Sequence, residues 1–145
     1  MDIIRSTQDA AGDGEKIILL TADRATLAKR RWRGAAEDGR EFGFDLEHAL
    51  AEGSVFFREA GKCYKISQAP EPVFEIEFGG DPVQLSIIAW KIGNLHFSIE
   101  VTDVVIRCPD DPALEQMLGK EQITWRRALS VFHPLTSSVG HAHHH

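Results

Sequence analysis

Residues 69–72 read Ala69-Pro70-Glu71-Pro72, and the fold turns on how this stretch is read. Two prolines around a glutamate suit neither a helix interior nor a central strand, because each fixes φ and removes a backbone donor. They predict a semi-rigid connector and a domain boundary. Residues 1–70 then form a first domain, 71–134 a second, and 135–145 a tail. A chain of 145 residues is long enough for two small domains.

Upstream of the connector the pattern is β-rich. Lys16 to Leu20 is a short apolar run suited to a buried strand. Arg31–Ala36 and Arg40–Leu46 flank Glu37-Asp38-Gly39, whose Asp-Gly pair is a hairpin signal. In the second arm Phe42, Phe44 and Leu46 alternate with Glu41, Gly43 and Asp45, the period of a half-buried strand. Val55–Arg58 and Cys63–Ile66 flank Ala60-Gly61 and predict a second hairpin. Short strands with regular turns indicate a small sandwich or barrel.

Downstream the order becomes strand, helix, strand, strand, helix, strand. Val73–Phe78 reads as a strand, and Asp81-Pro82 as an N-cap followed by proline at the first helical position. Leu85, Ile88, Ile92 and Leu95 recur at helical spacing, and Gly93-Asn94 reads as the stop because both residues tolerate a left-handed φ. Trp90 and Ile92 read as packing residues. Ser98–Val101 and Val104–Arg107 are expected as strands, Asp110-Asp111-Pro112 as the start of a helix through Leu118, and Ile123–Phe132 as the last strand. This β-α-β-β-α-β order is the ferredoxin-like arrangement, so the expected fold class is α+β in two domains.

Composition narrows the chemistry. With 22 acidic and 16 basic residues the net charge is -6, which argues against a nucleic-acid partner. The short cluster Lys29-Arg30-Arg31-Trp32-Arg33 reads as a solvated strand face. No apolar run reaches the ~20 residues that span a bilayer, and no signal peptide is legible at Met1–Arg5. Cys63 and Cys108 lie far apart, which suits a reduced, cytoplasmic protein. No nucleophile motif or phosphate-binding glycine loop is present, so the sequence does not read as an enzyme.

Metal binding is the chemistry that remains. Four histidines, His141, His143, His144 and His145, fall in the last five residues, and neutral imidazole suits Ni, Cu and Zn. Ala142 interrupts the run, so a native tail and a tag-derived end are both readings of it. His96, within Trp90-Lys91-Ile92-Gly93-Asn94-Leu95-His96-Phe97, is either a packed structural residue or a ligand. One imidazole gives one coordination bond. A two-fold axis beside it brings two copies together, because an isologous contact meets its own image. Cys108, Asp110, Asp111 and His133 are further possible ligands. A buried thiol, helix-capping carboxylates and a solvated strand-end histidine are the competing readings. His48 reads as a surface residue.

Several blocks resemble the UreE family of urease accessory proteins. They are Leu20–Arg24 (LTADR), Ala28–Arg31 (AKRR), Asp38–Leu46 (DGREFGFDL), the proline-flanked hinge, Trp90–Phe97 (WKIGNLHF), Pro109–Leu114 (PDDPAL), Val131–Leu135 (VFHPL) and the His-rich end. The resemblance implies a nickel metallochaperone acting in urease active-site assembly, and not an enzyme. It implies an N-terminal β-domain like the peptide-binding domain of an Hsp40-type chaperone, and a ferredoxin-like C-terminal domain that dimerises. It also implies Ni2+ held by His96 of both protomers and assisted by His141, His143, His144 and His145, a site that Zn2+ or Cu2+ can also enter. Implied partners are the accessory GTPase UreG and the complex of UreF, UreD and apo-urease. The chain departs from the pattern at Ser98, where many members carry proline. It departs again at Cys108–Pro112, where some carry a histidine pair. The competing function is an interaction scaffold of urease maturation with incidental or structural zinc. In that reading an edge strand such as Phe42–Leu46 pairs with a partner polypeptide.

Overall fold

The prolines of the connector do not keep the chain out of a sheet. In the computed structural model, which describes residues 1–77, 79 and 81–135, a strand begins at Glu71 and includes Pro72. The chain divides into two units, Met1–Ala69 and Pro70–His145. The architecture is mixed α and β, with strands predominating.

In the first unit the elements are β1 (Asp2–Ile4), β2 (Lys16–Ala22), α1 (Arg24–Leu27), β3 (Arg31–Ala35), β4 (Glu41–Asp45), β5 (Val55–Glu59) and β6 (Lys62–Gln68). They form two three-stranded sheets, ordered β1-β4-β3 and β2-β6-β5. The Asp-Gly hairpin forms as predicted: β3 and β4 pair antiparallel from Arg31↔Asp45 to Ala35↔Glu41, and Gly39 takes a φ of 89° that a β-carbon would resist. Asp38 braces the turn, accepting from the Arg40 N–H at 3.0 Å and from the Tyr64 hydroxyl at 2.6 Å. β5 and β6 form the second hairpin, with an irregularity between Val55 and Phe57.

Phe42–Leu46 is not an edge. β4 lies between β3 and β1, because Asp2–Ile4 adds to it in parallel. Three residues at the start of a chain carry too little pattern to read as a strand. Gly43 admits them: a β-carbon there would lie 2.9 Å from Ile3 Cδ1 and 3.2 Å from Met1 Cε. On the opposite face Phe42 and Phe44 are buried with Phe56, Tyr64, Ile18, Leu20 and Ile66. The Phe42 ring meets Phe56 and Tyr64 edge-on at 5.0 and 5.2 Å.

The second unit runs β7 (Glu71–Glu77), α2 (Pro82–Asn94), β8 (Glu100–Val101), β9 (Val105–Pro109), α3 (Pro112–Gly119) and β10 (Trp125–Ser130). Its sheet is ordered β10-β7-β9-β8 with every neighbouring pair antiparallel. β7 is central, against the expectation from its prolines. Pro72 is tolerated because it stands at the start of the strand, where a missing N–H costs little, and its carbonyl still accepts from the Asp110 N–H at 3.3 Å.

Both helix starts follow the sequence. Asp81 accepts from the Val83 N–H at 2.9 Å and Asp111 from the Ala113 N–H at 2.8 Å, each ahead of a proline in the first turn. Ile88 and Ile92 of α2 and Leu114 and Leu118 of α3 bury against Phe74, Ile76, Ile106 and Cys108. The last three strands are shorter or shifted relative to expectation: β8 keeps only two residues, β9 extends to Pro109, and β10 stops at Ser130. Among the described residues no helix is long and apolar enough to cross a membrane.

Candidate metal site

His96 stands where α2 ends, and the ending differs from the one Gly93-Asn94 suggests. Both of those residues remain helical, Leu95 is the C-cap, and the left-handed residue is His96 itself, with φ of 66°. The His96 N–H donates to the Gly93 carbonyl at 2.9 Å and the Phe97 N–H to the Ile92 carbonyl at 3.3 Å. These are the two reversed bonds of a Schellman motif, in which the left-handed position usually belongs to glycine. Phe97 completes the motif by packing, half-buried, on the cluster that holds Ile88 and Ile92. It draws the chain back onto the core and leaves the imidazole exposed. Ala60 is the only other described non-glycine residue with positive φ. The sequence signal was the apolar Phe97 five residues after Ile92; Gly93-Asn94 masked it.

The rest of α2 corrects a second expectation. Ile88 and Ile92 are buried as predicted, but Leu95 faces outward and Trp90 is 66% exposed. Trp90 belongs to another stripe with Val83 (65% exposed) and Ile87 (46%). Spacings of four and three place these residues on one face, opposite Ile88 and Ile92. α2 is thus apolar on two sides, and only one side is covered by its own unit. That stripe was missed because periodicity locates apolar faces without saying which one the core takes.

The other possible ligands are not gathered around His96. Cys108 is fully buried, and burial, helped by the Asp110 charge, pushes its thiol up to about 12, so no thiolate is available at neutral pH. Asp111 caps α3, whereas Asp110 pairs with Arg127 at 3.5 Å rather than sharing the cap. His133 is exposed and donates its backbone N–H to Glu100 Oε1 at 3.1 Å. His48 is exposed in the first unit. Among the described residues no group of three or more His, Cys, Asp or Glu side chains is placed to hold a metal ion. His141, His143, His144 and His145 lie outside the described residues.

The chain nevertheless returns toward His96 before the tail begins. The Leu135 N–H donates to the Ile99 carbonyl at 2.8 Å, so the last described residue is bonded three positions beyond His96. His141 is six positions beyond Leu135, a reach of up to about 20 Å.

Residues 71–145 match the family described as UreE urease accessory protein, C-terminal domain. The chain belongs to this family. UreE proteins are accessory proteins and not enzymes. A urease accessory protein UreE of Chelativorans sp. is 29% identical over 98% of this chain and 94% of its own length. One from Beijerinckia indica is 31% identical over 81% of this chain and 68% of its own length. One from Azorhizobium caulinodans is 37% identical over 68% of this chain, a match spanning about half (48%) of that protein.

Proposed function

We propose that the chain is a cytoplasmic nickel carrier for urease active-site assembly. It acts as a homodimer in which His96 from each of two protomers bridges one Ni2+. The observation that carries the reading is the pairing of an exposed, backbone-fixed imidazole with an uncovered apolar stripe on the same helix. A second copy seated on Val83, Ile87 and Trp90 would bury the stripe, and two-fold symmetry would bring each C-terminal end of α2 near its image. One imidazole nitrogen retains little metal, whereas two from facing protomers form the nucleus of a site.

His141, His143, His144 and His145 assist in this reading. Bonding of Leu135 to Ile99 starts their tether close to His96, which suits capture by the tail and transfer to the bridged pair. Release then follows by ligand exchange when a partner supplies competing ligands. The partners proposed are the GTPase UreG and the complex of UreF, UreD and apo-urease. Imidazole sites do not favour nickel over copper by affinity, so Zn2+ or Cu2+ would also bind, and selectivity rests on metal supply and docking. The strand order β10-β7-β9-β8 supports reading the second unit as ferredoxin-like, and the paired sheets of the first suit a partner- or peptide-binding domain.

The test is calorimetric titration with Ni2+. His96→Ala is expected to abolish the tightest site, one ion per dimer, without unfolding either unit. Unchanged tight binding in that variant rejects the reading.

A further inference from the structure

The basic cluster Lys29–Arg33 has no part in the metal chemistry, and the sheet of the first unit shows what its arginines face. Arg31 and Arg33 of β3 pair with Asp45 and Gly43 of β4, and Ile3 of β1 pairs with Gly43 from the other side. Paired residues share one face of a sheet, so these side chains lie together. Gly43 has no side chain to fill the space above it, and it helps line an open groove of about 500 Å³. Met1 and Ile3 line the β1 side, 62% and 50% exposed. Arg5, Arg31, Arg33 and Asp45 line it as well.

The charges in the groove do not balance. Arg5 NH1 and Arg31 Nε share one carboxylate, donating to Asp45 at 3.0 and 3.1 Å. Arg33 is exposed, stands opposite a glycine and makes no ion pair among the described residues. Three arginines against one carboxylate leave an excess of two positive charges, in a chain whose net charge is -6. The next carboxylate on this face, Glu41, pairs with Ala35 and does not line the groove. A forked guanidinium matches a carboxylate, and arginine beside exposed apolar surface is the composition of a polypeptide interface. Nucleic acid would need a longer series of phosphate contacts than two uncompensated charges supply.

We infer that this groove docks an acidic, extended segment of a partner polypeptide. Its carboxylates meet the arginines, Arg33 above all, and its apolar side chains cover Met1 and Ile3. Because β4 is central, the surface it offers is a face of the sheet and not an edge, so side chains rather than backbone bonds select the partner. This docking rests on reading the first unit as a partner-binding domain, and not on nickel bridging at His96.

The experiment is fluorescence anisotropy of the full chain with a short labelled peptide of alternating glutamate and valine. Its lysine–valine counterpart and a single-stranded oligonucleotide of equal negative charge are the comparisons. The acidic peptide is expected to bind, more weakly as salt is added, and the other two are not. Arg33→Glu is expected to weaken that binding about tenfold, and Ile3→Ser about threefold, with both variants still melting cooperatively. Lys16→Glu changes the net charge equally from the other sheet and is expected to weaken it far less. No binding of the acidic peptide overturns the proposal, as does a loss in Lys16→Glu equal to that in Arg33→Glu. Equal binding of the oligonucleotide also overturns it. So does a change of oligomeric state in Arg33→Glu, seen by sedimentation, because the groove would then hold a second copy. Binding of the lysine–valine peptide in place of the acidic one rejects the acidic partner while leaving the partner-binding reading standing. The bridging role of His96 is read from His96→Ala alone.

Discussion

The first unit gathers most of its aromatic rings into one core, whereas the second leaves an apolar stripe on a helix outside. Phe42, Phe44, Phe56 and Tyr64 are all buried in one cluster, and Trp32 stacks on Phe44 with centroids 4.0 Å apart. In the second unit Ile88 and Ile92 fill the core while Val83, Ile87 and Trp90 line the reverse of the same helix. Scattered exposed apolar residues are ordinary; a stripe at helical spacing is a surface with unmet burial. The unit that has not consumed its apolar surface is also the one carrying the exposed, left-handed histidine. Apolar surface is largely consumed within the first unit, and the homodimer proposed above would draw on what the second leaves uncovered.

The largest expected effect tests the first half of that contrast. Phe42→Ala removes a ring from the centre of the aromatic cluster and should cost about 3–5 kcal/mol of first-unit stability. Denaturant unfolding followed by Trp32 fluorescence measures it, and sedimentation should show association unchanged. A weakened dimer in this variant would break the division of labour.

Trp90→Asp tests the other half. The ring is exposed, so melting of the isolated protomer should barely change, while dimer association should weaken by about 2 kcal/mol or more. Sedimentation equilibrium across a dilution series reads this directly. A dimer as tight as wild type would place the interface elsewhere.

Acid titration gives a smaller effect and separates the units by burial. Hydrogen bonding from Arg107, and then from Arg126, holds the buried Glu75 carboxyl below the usual glutamate range. Above the ordinary value of about 4.3 the group is ionised in folded and unfolded chains alike, and its contribution is fully present. As pH falls below that value the unfolded chain takes up its proton first, and stability is lost until the folded carboxylate protonates too. Urea midpoints read from Trp125 should therefore fall as pH drops from about 5 to about 3. Glu75→Gln should flatten that fall without altering the acid response of the first unit, whose Asp38 and Asp45 carboxyls are also depressed.

His96→Gly should have the smallest effect on stability and the opposite sign. Glycine relieves a β-carbon at φ of 66°, so the second unit should gain about 1 kcal/mol. The same variant should lose the tight nickel site. Gain of stability with loss of binding would mark His96 as kept for its ligand nitrogen; loss of both would mean that the imidazole packs.

Local chemistry was legible wherever two or three adjacent residues decide a conformation. Asp38-Gly39 made its hairpin, and Asp81-Pro82 and Asp111-Pro112 opened their helices, because a capping oxygen and a fixed φ act within one turn. Legibility ended where the outcome depended on distant chain. Asp2–Ile4 made β4 a central strand, and Pro72 entered β7 because Asp110 and Leu129 lie beside it. Trp90 was misread because a helix with apolar residues on two faces offers the core a choice. Of the candidate site, His96 was legible through the blocks that resemble the UreE family, and its geometry was not: Gly93-Asn94 is the better local stop. Burial of Phe97 moves that stop to His96.

By itself, then, the sequence determined the turns, the N-caps of α2 and α3, the alternating strands and the family, since these rest on neighbours in the chain. Tertiary structure alone decided which strands are central, which face of α2 is left uncovered, and where the tail departs. Each of those depends on which surfaces compete for the same core, and no local pattern encodes the winner.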